Sequence, residues 1–357
     1  MRKKVCVVAG DHAAPEAMWP TVGILEGMGL DVEFSKPLTG IAAVKKYGEG
    51  QGLPEEAKKA IDAADVTLYG AGGGITLGTA YLRYVKKCWA HVRPIKYLRG
   101  ARSPLKKPEG IDWIMIREGL EGLYPGREGD LRELAPVAEK IRDNKLNEPI
   151  PVQEKGFFAI KVITEKNSRN IARFACEFAR KRKAKGYPGK VTVAAKYNSL
   201  RKCDEFFRKN VEEVVAEYPD LKFEQFIVDA FAQTMLLNPY DLDVVVLPNE
   251  LGDILSDGAA ATIGGLGLAP SGVYGDTYAY FEPIHGSAPD IQGKNIINPT
   301  ATILSAAFML DYLGFGKEGD RLQRAVEKVY LDGKHLTPDQ GGKASTTEFC
   351  EAVKGNL

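Results

Sequence analysis

Residues 242–262 read LDVVVLPNELGDILSDGAAAT and combine two contrasting patterns. The first part, residues 242–248, is short, apolar and rich in β-branched side chains, which is typical of a strand buried within a sheet. Residues 251–262 carry alanines and spaced apolar positions that favour a helix. The stretch therefore predicts a buried strand that leads into a helix, which is the repeating step of α/β folds.

Two acidic residues, Asp253 and Asp257, lie four positions apart in this helix, which places both carboxylates on one face. Like charges on one face repel each other. The simplest explanation is that Asp253 caps the helix and that Asp257 is solvated. The alternative is a divalent cation such as Mg²⁺ or Mn²⁺, which prefers carboxylate oxygens and would offset the repulsion. The spacing alone leaves both explanations open.

The same alternation of strands and helices extends over most of the chain. Strand patterns at residues 3–11, 30–37 and 65–74 are separated by helical patterns at residues 15–29 and 54–64. This alternation predicts an α/β fold.

The middle of the chain interrupts this alternation. Residues 125–155 are polar and charged and include one short predicted helix, and residues 155–165, KGFFAIKVITE, are strongly strand-like. We expect this region to be an excursion from the main domain.

The sequence does not contain the common nucleotide-binding motifs. The glycine-rich segments 70–78 and 264–272 do not give G-x-G-x-x-G between a strand and a helix. Residues 286–295 lack the spacing of a P-loop and its serine or threonine. The sequence therefore disfavours a Rossmann or P-loop fold.

The 357 residues include 44% hydrophobic and 27% charged side chains, whose charges nearly cancel to +1. This composition predicts a folded globular protein with no electrostatic preference for nucleic acid or an anionic membrane. The five cysteines are scattered and form no C-x-x-C pair, which argues against a disulfide framework or a zinc site. No signal-peptide pattern and no apolar run of membrane-spanning length is visible, so we expect a soluble, cytoplasmic protein.

Two long motifs, NELGDILSDGAAATIGGLGLAPSG (249–272) and FEPIHGSAPDIQGKNIINP (281–299), closely resemble those of the β-decarboxylating dehydrogenases. This is the family of isocitrate and 3-isopropylmalate dehydrogenases. The likeness continues, in the family's order, through LRYVKKCWAHVRPIK (82–96), IREGLEGLYPG (116–126) and FIVDAFAQTMLLNP (226–239). It covers nearly the whole chain.

The resemblance implies the fold, the reaction and the assembly. The fold would be a two-domain α/β architecture with a mixed, non-Rossmann sheet. Residues 1–90 and 264–357 would form a large cofactor-binding domain, and residues 91–263 a small dimerisation domain with a clasp at about 125–163. The enzyme would oxidise a 2R-hydroxy acid that bears a β-carboxylate, using NAD, and release CO₂ with help from Mg²⁺ or Mn²⁺. It would be at least a homodimer with shared active sites.

The resemblance also assigns roles to single positions. Asp253 and Asp257 match the paired metal ligands, and Asp229 matches a third carboxylate that the neighbouring subunit contributes. The cation would bind the substrate's hydroxyl and one carboxylate, which would explain the two aspartates on one helix face. Lys196 matches the group that assists removal of the hydroxyl proton, and a cation-rich, partly desolvated site would lower its pKa toward that of a working base. Tyr124 matches the acid that protonates the product carbon.

Three arginines match the family residues that grip the substrate carboxylates: Arg83, Arg93 and Arg117. Guanidinium suits this task because it binds a carboxylate in a bidentate manner. Asn198 matches the family's asparagine near the lysine. Within a nearly neutral protein, such a cluster would supply the attraction for anions that the net charge does not.

Substrate choice is less clear, because the chain departs from both branches of the family. Isocitrate dehydrogenases carry a serine and an asparagine where this chain has Leu77 and Thr79, and isopropylmalate dehydrogenases place two leucines where it has Thr79 and Ala80. Residues 99–110, RGARSPLKKPEG, and the long insertion resemble bacterial isocitrate dehydrogenases, and Thr76 or Thr79 could bind a distal carboxylate. We therefore expect isocitrate, with 3-isopropylmalate, homoisocitrate, tartrate, D-malate or another alkylmalate as alternatives.

The second motif matches the family's adenosine loop. The matched positions are Glu282, His285, Gly286, Ser287, Ala288, Asp290, Ile291 and Asn298. A carboxylate at Asp290 can accept hydrogen bonds from both ribose hydroxyls and repels a 2′-phosphate. NADP-dependent enzymes of the bacterial isocitrate type have lysine and tyrosine at the positions of Asp290 and Ile291, so we predict NAD.

One loop departs from the family pattern G-D-G-I-G-P-E, because residues 10–16 read GDHAAPE. His12 and Ala14 replace two glycines. They could enter the same turn only if the backbone there keeps φ negative. We therefore expect a rearranged loop with an altered cofactor contact.

Two rival functions are disfavoured. A non-catalytic regulatory subunit of the same fold would lack part of the catalytic set, whereas this chain keeps Tyr124, Lys196 and all three aspartates. A Mg²⁺-dependent phosphohydrolase would carry a D-x-D motif after its first strand, where residues 7–15, VVAGDHAAP, offer a single aspartate.

Overall fold

A ten-stranded mixed sheet organises the protein, whose computed structural model describes residues 2–357. The α/β class and the mixed sheet are confirmed. In chain order the strands are β1 (Lys3–Val8), β2 (Val32–Ser35), β3 (Val66–Tyr69), β4 (Ala90–Lys96), β5 (Asp112–Glu118), β6 (Glu128–Asp130), β7 (Phe157–Ala159), β8 (Lys190–Ala195), β9 (Lys222–Ile227), β10 (Val244–Leu247), β11 (Pro270–Tyr274) and β12 (Ala279–Pro283).

Helices cover the faces of this sheet. They are α1 (Ala14–Gly27), α2 (Gly40–Tyr47), α3 (Glu55–Asp62), α4 (Gly78–Ala80), α5 (Glu165–Lys183), α6 (Cys203–Ala216), α7 (Val228–Leu237), α8 (Asn249–Thr262), α9 (Thr300–Tyr312), α10 (Gly316–Asp332) and α11 (Thr346–Gly355). A π-helical turn, Tyr81–Val85, continues α4. None of the helices within residues 2–357 is both long and apolar enough to span a lipid bilayer.

The strand order in the large sheet is β2-β1-β3-β12-β11-β4-β5-β10-β8-β9. The pairs on both flanks are parallel, whereas β11 runs antiparallel to β12 and β4, and β4 runs antiparallel to β5. The antiparallel block lies at the middle of the sheet. This arrangement differs from a Rossmann sheet, in which the strands are mostly parallel.

The predicted strand and helix at residues 242–262 are confirmed as β10 and α8. All four residues of β10 are buried because the strand lies between parallel neighbours and is covered on both faces. Pro248 immediately precedes α8 and ends the strand, since proline lacks the N–H that a sheet ladder requires.

The predicted division into two domains falls between β11 and β4. Strands from residues 3–69 and 270–283 lie on one side of that junction, and strands from residues 90–247 lie on the other. Each side has buried hydrophobic clusters of its own. Because hydrogen bonds between β11 and β4 carry the sheet across the junction, the domain boundary stays a prediction.

The region from about residue 125 to 163 forms a separate two-stranded sheet, β6 with β7, and a 3₁₀ helix, Leu131–Lys140. The strand predicted over residues 155–165 forms only in part, since Phe157–Ala159 pairs with β6 and Val162 makes an isolated bridge with Gly122. Phe157 is 80% exposed. The apolar character of this segment is therefore not explained by burial within one chain.

Candidate active site

A cleft opens above the central antiparallel block, and its floor is made of side chains from adjacent strands. Ser271 on β11 lies opposite Glu282 on β12, and Arg93 projects from β4 beside them. Helix α8 supplies Asp253, and the segment that follows β3 supplies the opposite wall. The lining residues are Tyr69, Ala71, Gly72, Gly74, Leu77, Thr79, Ala80, Arg83, Arg93, Asp253, Ser271, Glu282, Pro283, Ile284, His285 and Gly286.

Asp253 does not cap α8. The helix begins at Asn249, so Asp253 lies beyond its first turn, and the explanation of Asp253 as a cap was wrong. Its carboxylate instead contacts two guanidinium groups, that of Arg117 and that of Arg93, the latter at 3.3 Å. Asp257 lies 3.9 Å from Arg93. Within one chain, arginines therefore offset the repulsion between the two carboxylates.

A glycine in α8 allows this contact. A Cβ atom at Gly252 would lie 2.7 Å from the Cβ of Arg117. Any larger residue would push α8 away from β5, because such a separation is too short for two carbon atoms. The close approach also brings Asn249 Oδ1 to 2.9 Å and 2.6 Å from two nitrogens of Arg117. The guanidinium of Arg117 is thus fixed in position before any ligand binds.

Tyr124 lies beside the same arginine. The guanidinium carbon of Arg117 is 5.5 Å from the centre of the Tyr124 ring. Burial, reinforced by the charge of Arg93, lowers the pKa of Arg117 to about 10. Partial burial and the negative charge of Asp253 raise the pKa of Tyr124. The phenol therefore keeps its proton at neutral pH, as a proton donor must.

Arg83 approaches the cleft from the π-helical turn. Its Nε donates to the hydroxyl of Tyr280 at 3.3 Å, and its guanidinium lies 4.0 Å from Glu282. Burial raises the pKa of Glu282, although the nearby arginines oppose this. Two of the predicted substrate arginines, Arg83 and Arg93, thus line one cleft, and Arg117 lies behind Asp253 at its edge. Such a group of guanidiniums can bind an anion with more than one carboxylate.

Two predicted site residues, the catalytic Lys196 and the metal ligand Asp229, lie together and are not part of the lining of this cleft. Lys196 follows β8, Asp229 lies in the first turn of α7, and their side chains form an ion pair. The ammonium of Lys196 lowers the pKa of Asp229. Within residues 2–357, no three Asp, Glu, His or Cys side chains converge as metal ligands. The structure therefore divides the predicted site into two clusters.

The predicted substrate residues of the opposite wall differ in their exposure. Thr76 is completely buried, and its hydroxyl donates to Asp11 at 2.5 Å. Contrary to our expectation, this hydroxyl is therefore not available to bind a substrate carboxylate. Thr79 lines the cleft beside Leu77. Leu77 has φ 53° and is 53% exposed, an unusual state for an apolar side chain. Asn198 is exposed in the turn after Lys196.

The predicted cofactor loop begins at the cleft and extends to the surface. His285 and Gly286 line the cleft, and Ala288 has φ 49°. In the 3₁₀ turn Pro289–Ile291 that follows, Asp290 is exposed and Ile291 is half-buried. The side chain of Asn298, in contrast, is occupied within the protein. It is buried and contacts Tyr330 at 3.2 Å, Asp339 at 2.9 Å and the backbone N–H of Thr300 at 3.0 Å. This geometry does not support the direct contact between Asn298 and the cofactor that we predicted.

The loop that departs from the family pattern keeps a glycine-like backbone. His12 has φ 51°, so the negative φ that we took as the condition for this turn is not required. The altered cofactor contact stays a prediction. Ala14 begins α1. Asp11, which the sequence analysis did not single out, accepts hydrogen bonds from the backbone N–H groups of Gly73 (2.7 Å), Ile75 (3.1 Å) and Thr76 (3.2 Å). It lies three residues after the end of β1, in the same GDHAAPE loop.

The residues present fit the groups that the resemblance implies. The carboxylates of Asp253 and Asp257 are 38% and 55% exposed, and they are hard oxygen donors of the kind that Mg²⁺ and Mn²⁺ prefer. A third ligand from Asp229 would have to come from another subunit. For the dinucleotide, Nε2 of His285 is buried without a hydrogen-bond partner at the edge of the cleft, as a base-contacting group would be before the ligand binds.

Comparison with known proteins shows the class of enzyme and the family to which the chain belongs. The sequence model of a family described as isocitrate/isopropylmalate dehydrogenase matches residues 4–353. The protein is therefore an enzyme, a decarboxylating oxidoreductase that acts on a hydroxy acid. The chain belongs to the isocitrate/isopropylmalate dehydrogenase family. Members of this family generally use NAD or NADP with Mg²⁺ or Mn²⁺ and are typically homodimers.

Several relatives are similar over nearly the entire chain. A 3-isopropylmalate/3-methylmalate dehydrogenase of Methanocaldococcus jannaschii is 41% identical and covers 98% of this chain and 97% of its own. An isocitrate/homoisocitrate dehydrogenase of Thermus thermophilus is 39% identical and covers 99% and 98%. The crystal structure of isocitrate dehydrogenase from Methylococcus capsulatus has a TM-score of 0.85 at 33% identity, with 99% of each chain covered.

Proposed function

We propose that the protein catalyses the NAD-dependent oxidative decarboxylation of a 2R-hydroxy acid that bears a β-carboxylate. The observation that carries this proposal is a cleft lined by Arg83, Arg93 and Asp253, with Arg117 joined to it through its contact with Asp253. Three guanidiniums supply enough donors for two carboxylates. Asp253 and Asp257 lie beside them and would hold the divalent cation, which when bound stabilises negative charge on the substrate's oxygens.

The side chains of this protein would divide the proton transfers between them. The arginines bind and orient the two carboxylates of the substrate. Lys196 would assist removal of the hydroxyl proton, and the phenol of Tyr124, which keeps its proton at neutral pH, would donate that proton to the product carbon. Tyr124 is suitably placed for this because it lies against Arg117 at the cleft.

We propose a homodimer in which Lys196 and Asp229 complete the cleft of the neighbouring subunit. Their separation from Asp253 within one chain supports this. Exposed apolar side chains on α7 and α8 also support it, since Leu237 is 72% and Ile254 64% exposed. Such side chains on adjacent helices are expected at an interface between subunits.

For the substrate we propose a malate with an uncharged alkyl group at its third carbon, such as 3-isopropylmalate. The wall formed by Leu77, Thr79 and Ala80 presents no cation for a third carboxylate, and the exposed Leu77 offers an apolar contact. The names of the relatives support this alternative better than the expected isocitrate. Isocitrate is the second candidate, favoured by the hydroxyl of Thr79 and by the isocitrate/homoisocitrate relative.

The test of this function is an NADH-absorbance assay of the purified protein with Mg²⁺ and NAD. We expect turnover of 3-isopropylmalate at a kcat/KM at least about tenfold above that of D-malate, because filling an apolar wall with an alkyl group contributes roughly 1–3 kcal/mol. Isocitrate, homoisocitrate and tartrate complete the panel. No NADH from any of these acids would contradict the proposal and would favour a regulatory subunit.

A variant of Leu77 tests the contact with the substrate's alkyl group separately from the contacts with the rest of the substrate. In Leu77→Ala we expect kcat/KM for 3-isopropylmalate to fall about tenfold, since apolar contact with the alkyl group is lost. D-malate has no substituent at this carbon, so its kcat/KM should not change. An equal loss with both acids would mean that Leu77 supports the loop and not the substrate. Preference of the wild type for isocitrate would establish the second candidate.

For the cofactor we propose NAD, because Asp290 is exposed at the end of the cofactor loop, where a carboxylate would repel a 2′-phosphate. We expect the double variant Asp290→Lys/Ile291→Tyr to lower kcat/KM with NAD by about tenfold or more and to gain turnover with NADP. The measurement is initial rates with both cofactors at one substrate concentration. A wild-type enzyme that turns over only with NADP would contradict the assignment.

A further inference from the structure

His12 holds an unusual position for a residue with a side chain. Its φ of 51° lies in the left-handed region, which disfavours every residue with a Cβ atom, and the family pattern has glycine here. The structure nevertheless keeps this conformation. A strained residue beside a cleft indicates that its side chain has a task that offsets the strain.

The imidazole of His12 lies between two loops that border the cleft. Its Nδ1 is 2.8 Å from Oγ of Ser287, a residue 275 positions away in the sequence. On its other side a Cβ atom at Gly73 would lie 2.6 Å from the ring, so only glycine leaves room for the imidazole there. The ring therefore fills the space between the loop after β3 and the loop that begins at His285.

The backbone around His12 reinforces the same connection. The N–H of Ala13 donates to the carbonyl of Ser287 at 3.0 Å. Glu16 accepts hydrogen bonds from the backbone N–H groups of Gly293 and Asn295, both at 2.6 Å. Asp11 in turn holds Gly73. Residues 11–16 thus join the substrate wall to the cofactor loop, and His12 supplies the side-chain bond to Ser287, the residue after the cleft residue Gly286.

We propose that His12 is a cofactor-positioning residue: through Ser287 it fixes the loop of residues 285–291 in its binding conformation and so sets the affinity for NAD. The proposal rests on the proposed function, which places the adenosine half of NAD on this loop. A loop fixed before binding loses less conformational entropy when the ligand arrives, and this raises affinity without a new contact to the ligand.

The experiment measures NADH binding directly, by fluorescence titration of the full-length protein, and does not depend on turnover. In His12→Gly the left-handed turn is retained without strain, so the variant should fold, and thermal melting verifies this. We expect its Kd for NADH to rise about fivefold, the effect of one lost hydrogen bond. His12→Ala should show the same rise. The KM for the hydroxy acid should remain nearly constant.

A second variant tests whether His12 acts through Ser287. Ser287→Ala should weaken NADH binding by itself, and addition of His12→Gly to it should change the Kd no further, because the bond is already absent. The matched control is His335→Gly, which removes an exposed histidine at the end of α10 and should bind NADH as the wild type does.

Three results would overturn the proposal. Unchanged NADH affinity in His12→Gly would show that the bond does not set affinity. If His12→Gly raised the Kd for NADH by the same factor in the wild type and in Ser287→Ala, His12 would contact the cofactor directly. Absence of NADH binding by the wild type would overturn the proposed function and this inference together. This outcome can be told apart from the other two, because both of those require a wild type that binds NADH.

Discussion

Replacing Asp253 by asparagine is expected to lower kcat about a thousandfold, which would be among the largest effects of any single substitution in this protein. The amide has nearly the shape of the carboxylate but no charge, so it is a poor ligand for Mg²⁺ or Mn²⁺. It also leaves the charges of Arg93 and Arg117 without their partner at the floor of the cleft. The measurement is the NADH-producing rate at saturating Mg²⁺ with the preferred hydroxy acid.

A matched control separates this effect from a general loss of structure. Asp241 is exposed just before β10, accepts one hydrogen bond from Asn238 and lies outside the cleft lining. Asp241→Asn should keep wild-type activity, and thermal melting should show that Asp253→Asn is still folded at the assay temperature even though its arginines have lost a charged partner. Wild-type turnover by Asp253→Asn would refute a role for this carboxylate in catalysis.

Two inactive variants should restore activity when they share one dimer. Lys196→Met removes the lysine that we propose serves the neighbouring cleft, and Asp253→Asn damages the cleft itself. A mixed dimer then contains one site with both defects and one with neither. Its specific activity should be about half that of the wild type, whereas each variant alone should be nearly inactive.

The mixed dimers are best produced by expressing the two variants together with different affinity tags and purifying on both. The control is a mixed dimer of Lys196→Met with Lys196→Ala, in which both sites lack the lysine and no activity should return. If the cleft and Lys196 of the same chain formed one site, no mixture of these variants would recover activity. Sedimentation of the wild type as a monomer would also contradict the shared site.

The strand-to-helix step at residues 242–262 could be predicted because burial and helical spacing are local properties of the sequence. The pairing of Asp253 with Arg93 and Arg117 could not, since those arginines lie more than 130 residues away and nothing in their spacing reports contact. The same holds for Thr76, whose hydroxyl binds Asp11 across 65 residues and is thereby lost to the substrate. Local patterns predict elements, and they do not predict which side chains meet between elements.

His12 and residues 155–165 illustrate two further limits. Glycine is the usual residue where φ is positive, so a histidine and an alanine in place of glycines argued for a different backbone, yet tertiary contacts hold His12 in the left-handed region. The apolar pattern of KGFFAIKVITE argued for a long strand, but a strand forms only where a partner strand is available, and β6 has three residues. In both places the surroundings outweighed local preference.

The antiparallel strands at the centre of the sheet have a mechanical consequence. Hydrogen bonds between β11 and β4 and between β4 and β5 cross the floor of the cleft without interruption. Because breaking such a ladder is costly, a change in the angle between the two flanks would have to come from twisting of the sheet with the ladder intact. Arg93 on β4 and Arg117 on β5 belong to this ladder, so we expect the distance between them to change little when a ligand binds. These two anchor points for carboxylates would therefore keep their separation when the rest of the cleft changes shape.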